Sequence, residues 1–256
     1  MVHFVGAGPG APDLITVRGA RLIAGADLII YAGSLVNRSV LEYKKPGCRV
    51  MDSARMTLEE VIESIASAEK DGLVTVRLHT GDPSIYGAIK EQTEMLDELG
   101  IEYDICPGVS SFCGAASSLG IEYTLPGVTQ SVILTRMEGR TPVPENESIE
   151  SLASHGASMV IFLSASMTER LSEELIKGGY APETPAAIVY KATWPEEKKV
   201  ICTVGTLHRA AIENDISKTA LIIVGDIFGS GHERSRLYDP GFSTGFRRAV
   251  TDKCSQ

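Results

Sequence analysis

Short apolar runs alternate with amphipathic helical patterns along this chain, beginning at its first residues. Residues 2–5 have the composition of a buried strand and run directly into the glycine-rich turn G-A-G-P-G at 6–10. Residues 13–24 then place apolar side chains at the spacing of one helix face, and 27–31 form a second apolar run. A strand, a tight turn, a helix and a further strand make up the repeating unit of parallel sheets. The sequence therefore predicts an α/β fold.

The same alternation continues through the second half of the chain. Thr57 is followed three residues later by Glu60, which predicts a capping box at the start of a helix over 57–69. Around residue 120 one α/β unit passes into the next without a linker rich in Ser or Pro. We therefore predict domains over 1–118 and 119–240, and a C-terminal tail over 241–256. The other predicted strands are 73–78, 101–105, 130–135, 158–163, 186–190, 199–203 and 220–224, and the other predicted helices are 88–99, 110–119 and 167–178.

Charge and hydropathy exclude two classes of partner. The chain has 24 Lys and Arg against 33 Asp and Glu, a formal net charge of −9. Affinity for nucleic acid comes mostly from basic side chains that neutralise phosphates, so we expect no nucleic-acid partner. No stretch approaches the ~18 apolar residues that span a bilayer, and the first residues lack the features of a signal peptide. The sequence therefore predicts a cytoplasmic protein without a membrane partner.

Cysteine and histidine spacing argues against metal chemistry. The five cysteines are widely spaced with no C-x-x-C pair, and no two of the five histidines lie four residues apart. Zinc sites and redox pairs depend on such short spacings. We therefore expect free thiols and no metal site.

Two strand ends that contain glycine are candidate ligand sites. The first, at 6–11, lacks the third glycine of a dinucleotide fingerprint, and Y-A-G-S at 31–34 has no acid for a ribose. The second, T-G-D-P at 80–83, follows a predicted strand, and ligands of parallel sheets bind outside the carboxyl ends of strands. Gly81 would let a ligand approach the backbone, while Asp82 would either cap a helix or meet a cationic group. Each motif alone is also compatible with a purely structural turn.

As a set, the motifs resemble the tetrapyrrole methylase family of S-adenosylmethionine-dependent enzymes. Some of these motifs are general to the family, and others are typical of a narrower group within it. The resemblance extends from residue 2 to about residue 226. The general motifs are V-G-A-G-P-G at 5–10, D-L-I-T at 13–16, G-D-P at 81–83 and P-G-V-S-S at 107–111. The narrower motifs are Y-A-G-S-L-V at 31–36, the run Q-S-V-I-L-T-R-M-E-G-R-T-P-V-P-E at 130–145 and V-Y-K-A-T-W-P at 189–195.

The resemblance implies a homodimer of two-domain α/β subunits with a ligand cleft between the domains. It implies S-adenosyl-L-methionine as the methyl donor, S-adenosyl-L-homocysteine as its product, and a tetrapyrrole as substrate. The narrower motifs imply methylation at carbon 11 of precorrin-4 or cobalt-precorrin-4 in cobalamin biosynthesis. Methylation at another ring position, or adenosyl or nucleotide binding without methyl transfer, are the alternatives. The implied cofactor contacts are Pro9, Thr80, Gly81, Asp82, Ile85, Ser110, Ser111, Leu163 and Ala192.

The implied substrate carries several carboxylates, so local cations must hold it in an acidic protein. Arg136 and Arg140 are suited to bidentate carboxylate contacts, and Lys191 lies in a second motif. Arg77 and His79 alternate along one strand and are expected to line the substrate trough. Close relatives often carry an acid where this chain has Gly33, and 31–34 offers none, so no catalytic residue is assigned.

Overall fold

The structure, a computed structural model, describes residues 1–229, 231 and 233–250. The chain divides into two compact units. The first unit comprises Met1–Gly120, Val189–Lys199 and Ile216–Leu221, and the second comprises Ile121–Ile188, Val200–Asp215 and the described residues from 222 onward. Unlike the predicted ranges 1–118 and 119–240, this division is not contiguous, because two segments from the second half of the chain join the first unit.

The first unit contains a parallel sheet, which in the described part of the chain has five strands in the order β3-β2-β4-β1-β5. Phe4, on the first strand of the chain, lies opposite Arg77 of one neighbouring strand and Ile105 of the other. Because all strands are parallel, their carboxyl ends meet at one edge. The strands are β1 (Val2–Gly6), β2 (Leu28–Tyr31), β3 (Arg49–Asp52), β4 (Thr75–His79) and β5 (Tyr103–Cys106).

Helices cover both faces of this sheet. One hydrophobic cluster joins Ile23 to Ile29, and the other joins Ile65 and Leu96 to Phe4. The capping box predicted at Thr57 is confirmed. The helices are α1 (Val17–Gly25), α2 (Leu58–Lys70), α3 (Lys90–Glu98) and α4 (Ser111–Leu119).

The helix predicted over 13–24 is in fact two elements. A 3-10 turn covers Pro12–Leu14, and α1 begins only after Thr16. The Thr16 side chain accepts a hydrogen bond from the Gly19 N–H at 3.1 Å. This N-cap satisfies a free donor of the first helical turn, and so sets the start of the helix.

Arg77 and His79 lie in the core, not along an open trough. The Arg77 side chain donates to Gln92 Oε1 at 2.9 Å and to the Ile30 carbonyl at 3.1 Å. His79 is 4% exposed, and its ring stacks on that of Phe4 with the ring centres 5.9 Å apart. Burial, followed by repulsion from Arg77, lowers the pKa of His79 to about 3. His79 is therefore neutral at physiological pH.

The buried His79 is expected to make the protein less stable in acid. In the unfolded chain a histidine titrates near pH ~6.5, so between that pH and about 3 only the unfolded state binds the proton. The free energy of unfolding should then fall as the pH falls, by roughly 2 kcal/mol between pH ~7.5 and ~5. Urea unfolding of the wild type and His79→Gln at both pH values measures this difference. His155→Gln, at an exposed position, is the control that should keep the wild-type slope.

The second sheet is built from the second half of the chain, and its described strands run in the order β6-β7-β10-β8-β9. β6 and β7 are parallel, with Leu134 opposite Val160, whereas β7 and β10 are antiparallel, with Ile161 opposite Ile222. The strands are β6 (Val132–Arg136), β7 (Ser158–Phe162), β8 (Pro185–Tyr190), β9 (Lys198–Thr203) and β10 (Ala220–Val224), and the helices are α5 (Ile149–Ala153), α6 (Thr168–Lys177) and α7 (Leu207–Glu213).

The strand β3 and the α-helices α5 and α7 were absent from the sequence-based prediction. The strand β3 is mostly exposed and has no alternating apolar face, so its pairing with β2 decides its conformation.

The cysteines at 48, 106, 113 and 202 are free thiols, as expected. Cys254 and residues 251–256 of the predicted tail lie outside the described residues. Among the described residues, no helix is long and apolar enough to cross a membrane.

Candidate functional site

The carboxyl ends of β1 and β4 form the topological switch point of the first sheet. These two strands are neighbours. The chain leaves β1 through α1, whose Ile23 packs in one hydrophobic cluster, and leaves β4 through α3, whose Leu96 packs in the cluster on the other face. Connections that depart to opposite faces leave a crevice between the strand ends, where ligands of such sheets bind.

Glycine backbones fill this crevice. Gly8 and Gly81 form a two-way bridge, with N–H to carbonyl distances of 3.3 and 2.9 Å. Both have positive φ, 81° and 57°, which only glycine adopts without cost. A Cβ on Gly108 would lie 2.1 Å from the Gly81 carbonyl oxygen, and one on Gly6 would lie 2.6 Å from the Gly108 Cα. A ligand here would therefore meet peptide groups rather than side chains.

Asp82 ties the loop after β4 to the loop after β5. Its carboxylate accepts hydrogen bonds from the Gly108 N–H at 2.8 Å, from the Ser84 N–H at 2.8 Å and from the Ser84 hydroxyl. Partial burial raises the pKa of Asp82, but these hydrogen bonds outweigh it and leave the pKa below its ordinary value. The N-cap of α3 is Ile89, so Asp82 is not that helix's cap. The ionised carboxylate holds the two loops together.

The start of α4 completes this side of the site. Ser110 is the N-cap residue and is 7% exposed, and a Cβ on Gly81 would lie 3.3 Å from the Ser111 nitrogen. Pro9 packs on the helix, because a Cβ on Gly114 would lie 2.6 Å from the Pro9 Cβ. The N-terminus of a helix carries partial positive charge and free N–H groups. The structure thus brings Pro9, Gly81, Ser110 and Ser111 together.

The segment 191–197 returns from the second half of the chain to the first glycine turn. The Ala11 N–H donates to the Thr193 hydroxyl at 2.9 Å, and the Trp194 indole N–H donates to the Pro9 carbonyl at 3.3 Å. A Cβ on Gly10 would lie 2.0 Å from the Trp194 ring and 2.7 Å from the Ala192 carbonyl oxygen. Ala192 therefore joins the same site, although it is far away in sequence.

The family model of the tetrapyrrole (corrin/porphyrin) methylases matches residues 1–208. The chain belongs to the tetrapyrrole methylase family. This methylase is 51% identical to a cobalt-precorrin-4 C(11)-methyltransferase of Methanocaldococcus jannaschii, over 97% of this chain and 96% of that protein. It is 44% identical to a precorrin-4 C(11)-methyltransferase of a Sinorhizobium species, over 96% of this chain and 98% of the relative.

A solved structure is similar to this methylase over most of its length. That structure is of a cobalt-precorrin-4 methyltransferase, described as a cobalamin biosynthetic enzyme, and it matches this chain with a TM-score of 0.87 and 45% sequence identity. The match covers 89% of this chain and 95% of that chain. The α/β architecture predicted from the sequence is thereby confirmed.

The remaining predicted cofactor contacts of the methylase lie in different places. Thr80 directly precedes Gly81, and the Ile85 N–H donates to the Asp82 carbonyl at 3.2 Å, so both belong to the loop after β4. Leu163 lies in the second unit, directly after β7, where it is 59% exposed with a φ of 54°. Positive φ at a non-glycine residue is strained and clusters at functional positions.

Arg136 and Arg140 differ in their surroundings within the second unit. Arg136 ends β6, and its guanidinium donates to the carbonyls of Met137 and Thr141, each at 3.2 Å, and of Pro142 at 2.7 Å. It therefore organises the loop 137–142. Arg140 lies on this loop and is exposed to solvent. Arg140 is thus the more available of the two for a ligand.

Lys191 is held at the edge of the returning segment in the first unit. Its ammonium lies 4.8 Å from the centre of the Trp194 ring and 5.6 Å from that of Tyr190, at cation–π distances. The Glu196 carboxylate is 3.6 Å away. Trp194 itself packs against Gly10, so Lys191 is positioned next to the first glycine turn.

Sequence reasoning missed Asp52, which lies at the end of β3. Its Oδ1 accepts hydrogen bonds from the N–H groups of Gly33 at 3.1 Å and Ala54 at 2.9 Å. A Cβ on Gly33 would lie 2.1 Å from Oδ2. An acid is therefore present at the end of β2 after all, supplied by the neighbouring strand. A prediction of β3 as a strand parallel to β2 would have placed Asp52 beside Gly33.

Proposed function

We propose that this chain transfers a methyl group from S-adenosyl-L-methionine to carbon 11 of precorrin-4 or cobalt-precorrin-4, in cobalamin biosynthesis. The observation that supports this most strongly is the convergence of the loops after β1, β4 and β5 and the segment 191–197 on one glycine-lined crevice. The chain belongs to a methylase family, and its relatives named above carry these two activities.

The crevice fits an adenosyl ligand because its lining is backbone. The tight backbone contacts at Gly6 and Gly108 leave no room for side chains, so a flat, polar group would lie directly against the peptide backbone. When bound, S-adenosylmethionine supplies a methyl group that its sulfonium has already activated. The residues that would hold it in the first unit are Pro9, Thr80, Gly81, Asp82, Ile85, Ser110, Ser111 and Ala192. Leu163 stays a prediction from the family resemblance.

The protein's part in this chemistry is mainly alignment. An activated methyl group needs a straight approach to an electron-rich ring carbon more than it needs acid–base help. The loop tie at Asp82 and the packing of Trp194 against Gly10 fix the walls of the crevice. For the substrate carboxylates we propose Arg140 and Lys191 as contacts, with Arg136 positioning the loop that carries Arg140.

The function is tested with the purified wild type, S-adenosylmethionine and each of the two tetrapyrroles. We expect one of them to gain a methyl group at carbon 11, seen by mass spectrometry and by NMR with a carbon-labelled methyl donor. S-adenosylhomocysteine should raise the melting temperature and NAD should not. Stabilisation by NAD alone would instead indicate a nucleotide-binding protein without methyl transfer, and labelling at another carbon would indicate a different ring position.

Arg140→Ala is expected to weaken substrate use without affecting the cofactor. A charge-assisted hydrogen bond contributes roughly 1.5–3 kcal/mol, so kcat/KM for the tetrapyrrole should fall about 10- to 100-fold. Arg136→Ala should lower it similarly, because the loop 137–142 loses the guanidinium that its carbonyls accept from. Steady-state kinetics and calorimetry with S-adenosylhomocysteine measure the two effects separately.

Arg209→Ala is the matched control for the two arginines. Arg209 is also an exposed arginine of the second unit, but it lies on α7 beside Glu213, at 3.8 Å. Its removal should leave kcat/KM unchanged. Wild-type kinetics in both Arg136→Ala and Arg140→Ala would show that the loop 137–142 is not part of the substrate site.

Homodimerisation and a cytoplasmic location stay predictions. Light scattering of the purified protein tests the first of them.

A further inference from the structure

Asp52 is the centre of a hydrogen-bonded group at the carboxyl ends of β2 and β3. Its Oδ1 is occupied by the N–H groups of Gly33 and Ala54. Among the described residues, Oδ2 accepts only a long hydrogen bond from the Tyr31 hydroxyl, at 3.4 Å. The Tyr31 oxygen in turn accepts from Arg38 Nε at 2.7 Å, which leaves the tyrosine proton for Asp52. Oδ2 is therefore the oxygen with capacity left for a ligand.

The carboxylate of Asp52 is ionised and open to solvent. The hydrogen bond from Ala54, with those from Gly33 and Tyr31 and the nearby Arg38 cation, holds the pKa of Asp52 below its ordinary value. Its side chain is 38% exposed, and the nearest Arg38 nitrogen is 3.9 Å from Oδ2, too far for a hydrogen bond. The negative charge is thus fixed in place, and its ion pair with Arg38 is long and not hydrogen-bonded.

Asp52 lies at the same sheet edge as the glycine crevice, and one loop connects the two. This loop follows β2 and runs from Gly33 to Asn37. Its first end is held by Asp52, at Gly33. Its other end is held at the crevice, where the Asn37 side-chain amide donates to the Gly10 carbonyl at 2.9 Å. The carboxylate is therefore positioned relative to the first glycine turn.

We propose that Asp52 faces the tetrapyrrole and stabilises the positive charge that the ring gains during methylation; this inference rests on the proposed function. A ring carbon gives an electron pair to the methyl group, and the electrons of the broken sulfur–carbon bond go to sulfur, which becomes neutral. The ring system then carries the positive charge until it releases a proton to solvent. A fixed carboxylate aimed at developing positive charge lowers the barrier, because it needs no reorganisation during the reaction.

The Asp52→Asn variant tests the effect of the negative charge while keeping the hydrogen bonds that hold the fold. The asparagine oxygen replaces Oδ1 and still accepts from Gly33 and Ala54, while the negative charge is lost. We expect kcat to fall about 100-fold. The KM for the tetrapyrrole should change by less than about threefold, because the charge appears mainly in the transition state. The Kd for S-adenosylhomocysteine and the melting temperature should match the wild type.

Asp27→Asn is the matched control. Asp27 directly precedes β2, so it lies at the opposite end of that strand. It too accepts a backbone hydrogen bond, from Val74 at 2.9 Å, and has a basic partner, Lys45, at 2.6 Å. Hydrogen bonds from Lys45 and Val74 lower the pKa of Asp27 as well. The control removes the same charge at the other edge, and kcat should stay at the wild-type value.

A carboxylate exchange tests the position of the charge. Because a Cβ on Gly33 would lie within the space of the Asp52 carboxylate, Asp52→Ala should make room for Gly33→Asp. The φ of Gly33 is not positive, so a side chain is allowed there. We expect the double variant to recover at least about tenfold in kcat over Asp52→Ala, since the charge returns to nearly the same place.

The outcomes distinguish the inference from its alternatives. A wild-type kcat in Asp52→Asn, or no recovery in a folded double variant, would overturn it. An Asp52→Asn variant that loses S-adenosylhomocysteine affinity and melting temperature along with kcat would show a structural role only. All comparisons use whichever tetrapyrrole the wild type methylates, and failure of the wild type on both substrates would count against the proposed function instead.

Discussion

A Gly108→Ala variant is expected to lose S-adenosylhomocysteine binding and to be strongly destabilised. The added Cβ would lie 2.1 Å from the Gly81 carbonyl oxygen and 2.7 Å from the Gly6 Cα. These are backbone atoms of neighbouring strand ends, so no side chain can rotate away. The strand ends must separate, which should cost about 3 kcal/mol or more and displace the crevice by enough to weaken binding at least ~100-fold. Calorimetry and urea unfolding measure the two losses.

Gly25→Ala is the control for this substitution. Gly25 is the last residue of α1, and a Cβ there has no atom within 4 Å. Alanine also has the higher helix propensity, so the stability should stay equal or rise by up to about 1 kcal/mol. Unchanged ligand affinity in Gly108→Ala would show that the contact of the three loops is not part of the cofactor site.

Asp82→Ala is expected to weaken S-adenosylhomocysteine binding about 10- to 100-fold with a smaller loss of stability. The variant removes the acceptor of the Gly108 N–H and of the Ser84 N–H. Each charge-assisted hydrogen bond contributes roughly 1.5–3 kcal/mol, and without them the loops after β4 and β5 are no longer tied at the crevice. Isothermal titration calorimetry measures the change in Kd directly.

Asp82→Asn provides a graded comparison. It keeps one acceptor oxygen and the side-chain shape but loses the charge, so its Kd should fall between those of the wild type and Asp82→Ala. Equal affinity of all three proteins for S-adenosylhomocysteine would exclude Asp82 from the site. A loss of affinity in Asp82→Asn as large as in Asp82→Ala would indicate that Asp82 acts on the ligand through its charge, and not by holding the two loops together.

The amino-acid sequence alone determined most of the local structure. Apolar runs predicted every strand of the first sheet except β3, and the Thr57 capping box predicted the start of α2, because these signals act over a few residues. The strand-end motifs around Gly8, Gly81 and Ser110 were sufficient to predict the family. Such motifs are readable in the sequence because close backbone approach requires glycine at particular positions.

The tertiary structure decided how residues distant in sequence meet. Asp52 reaches Gly33 only because β3 pairs with β2 in a particular register, and Trp194 reaches Pro9 across 185 positions of the chain. The sequence predicted that His79 lines the substrate trough, whereas the tertiary structure buries it in the core. Local propensity and motif spacing carry no information about such long-range pairing, since it depends on strand order and on the burial of whole faces. The glycine crevice can therefore be predicted from the sequence, whereas the position of the Asp52 carboxylate beside Gly33 depends on the folded chain.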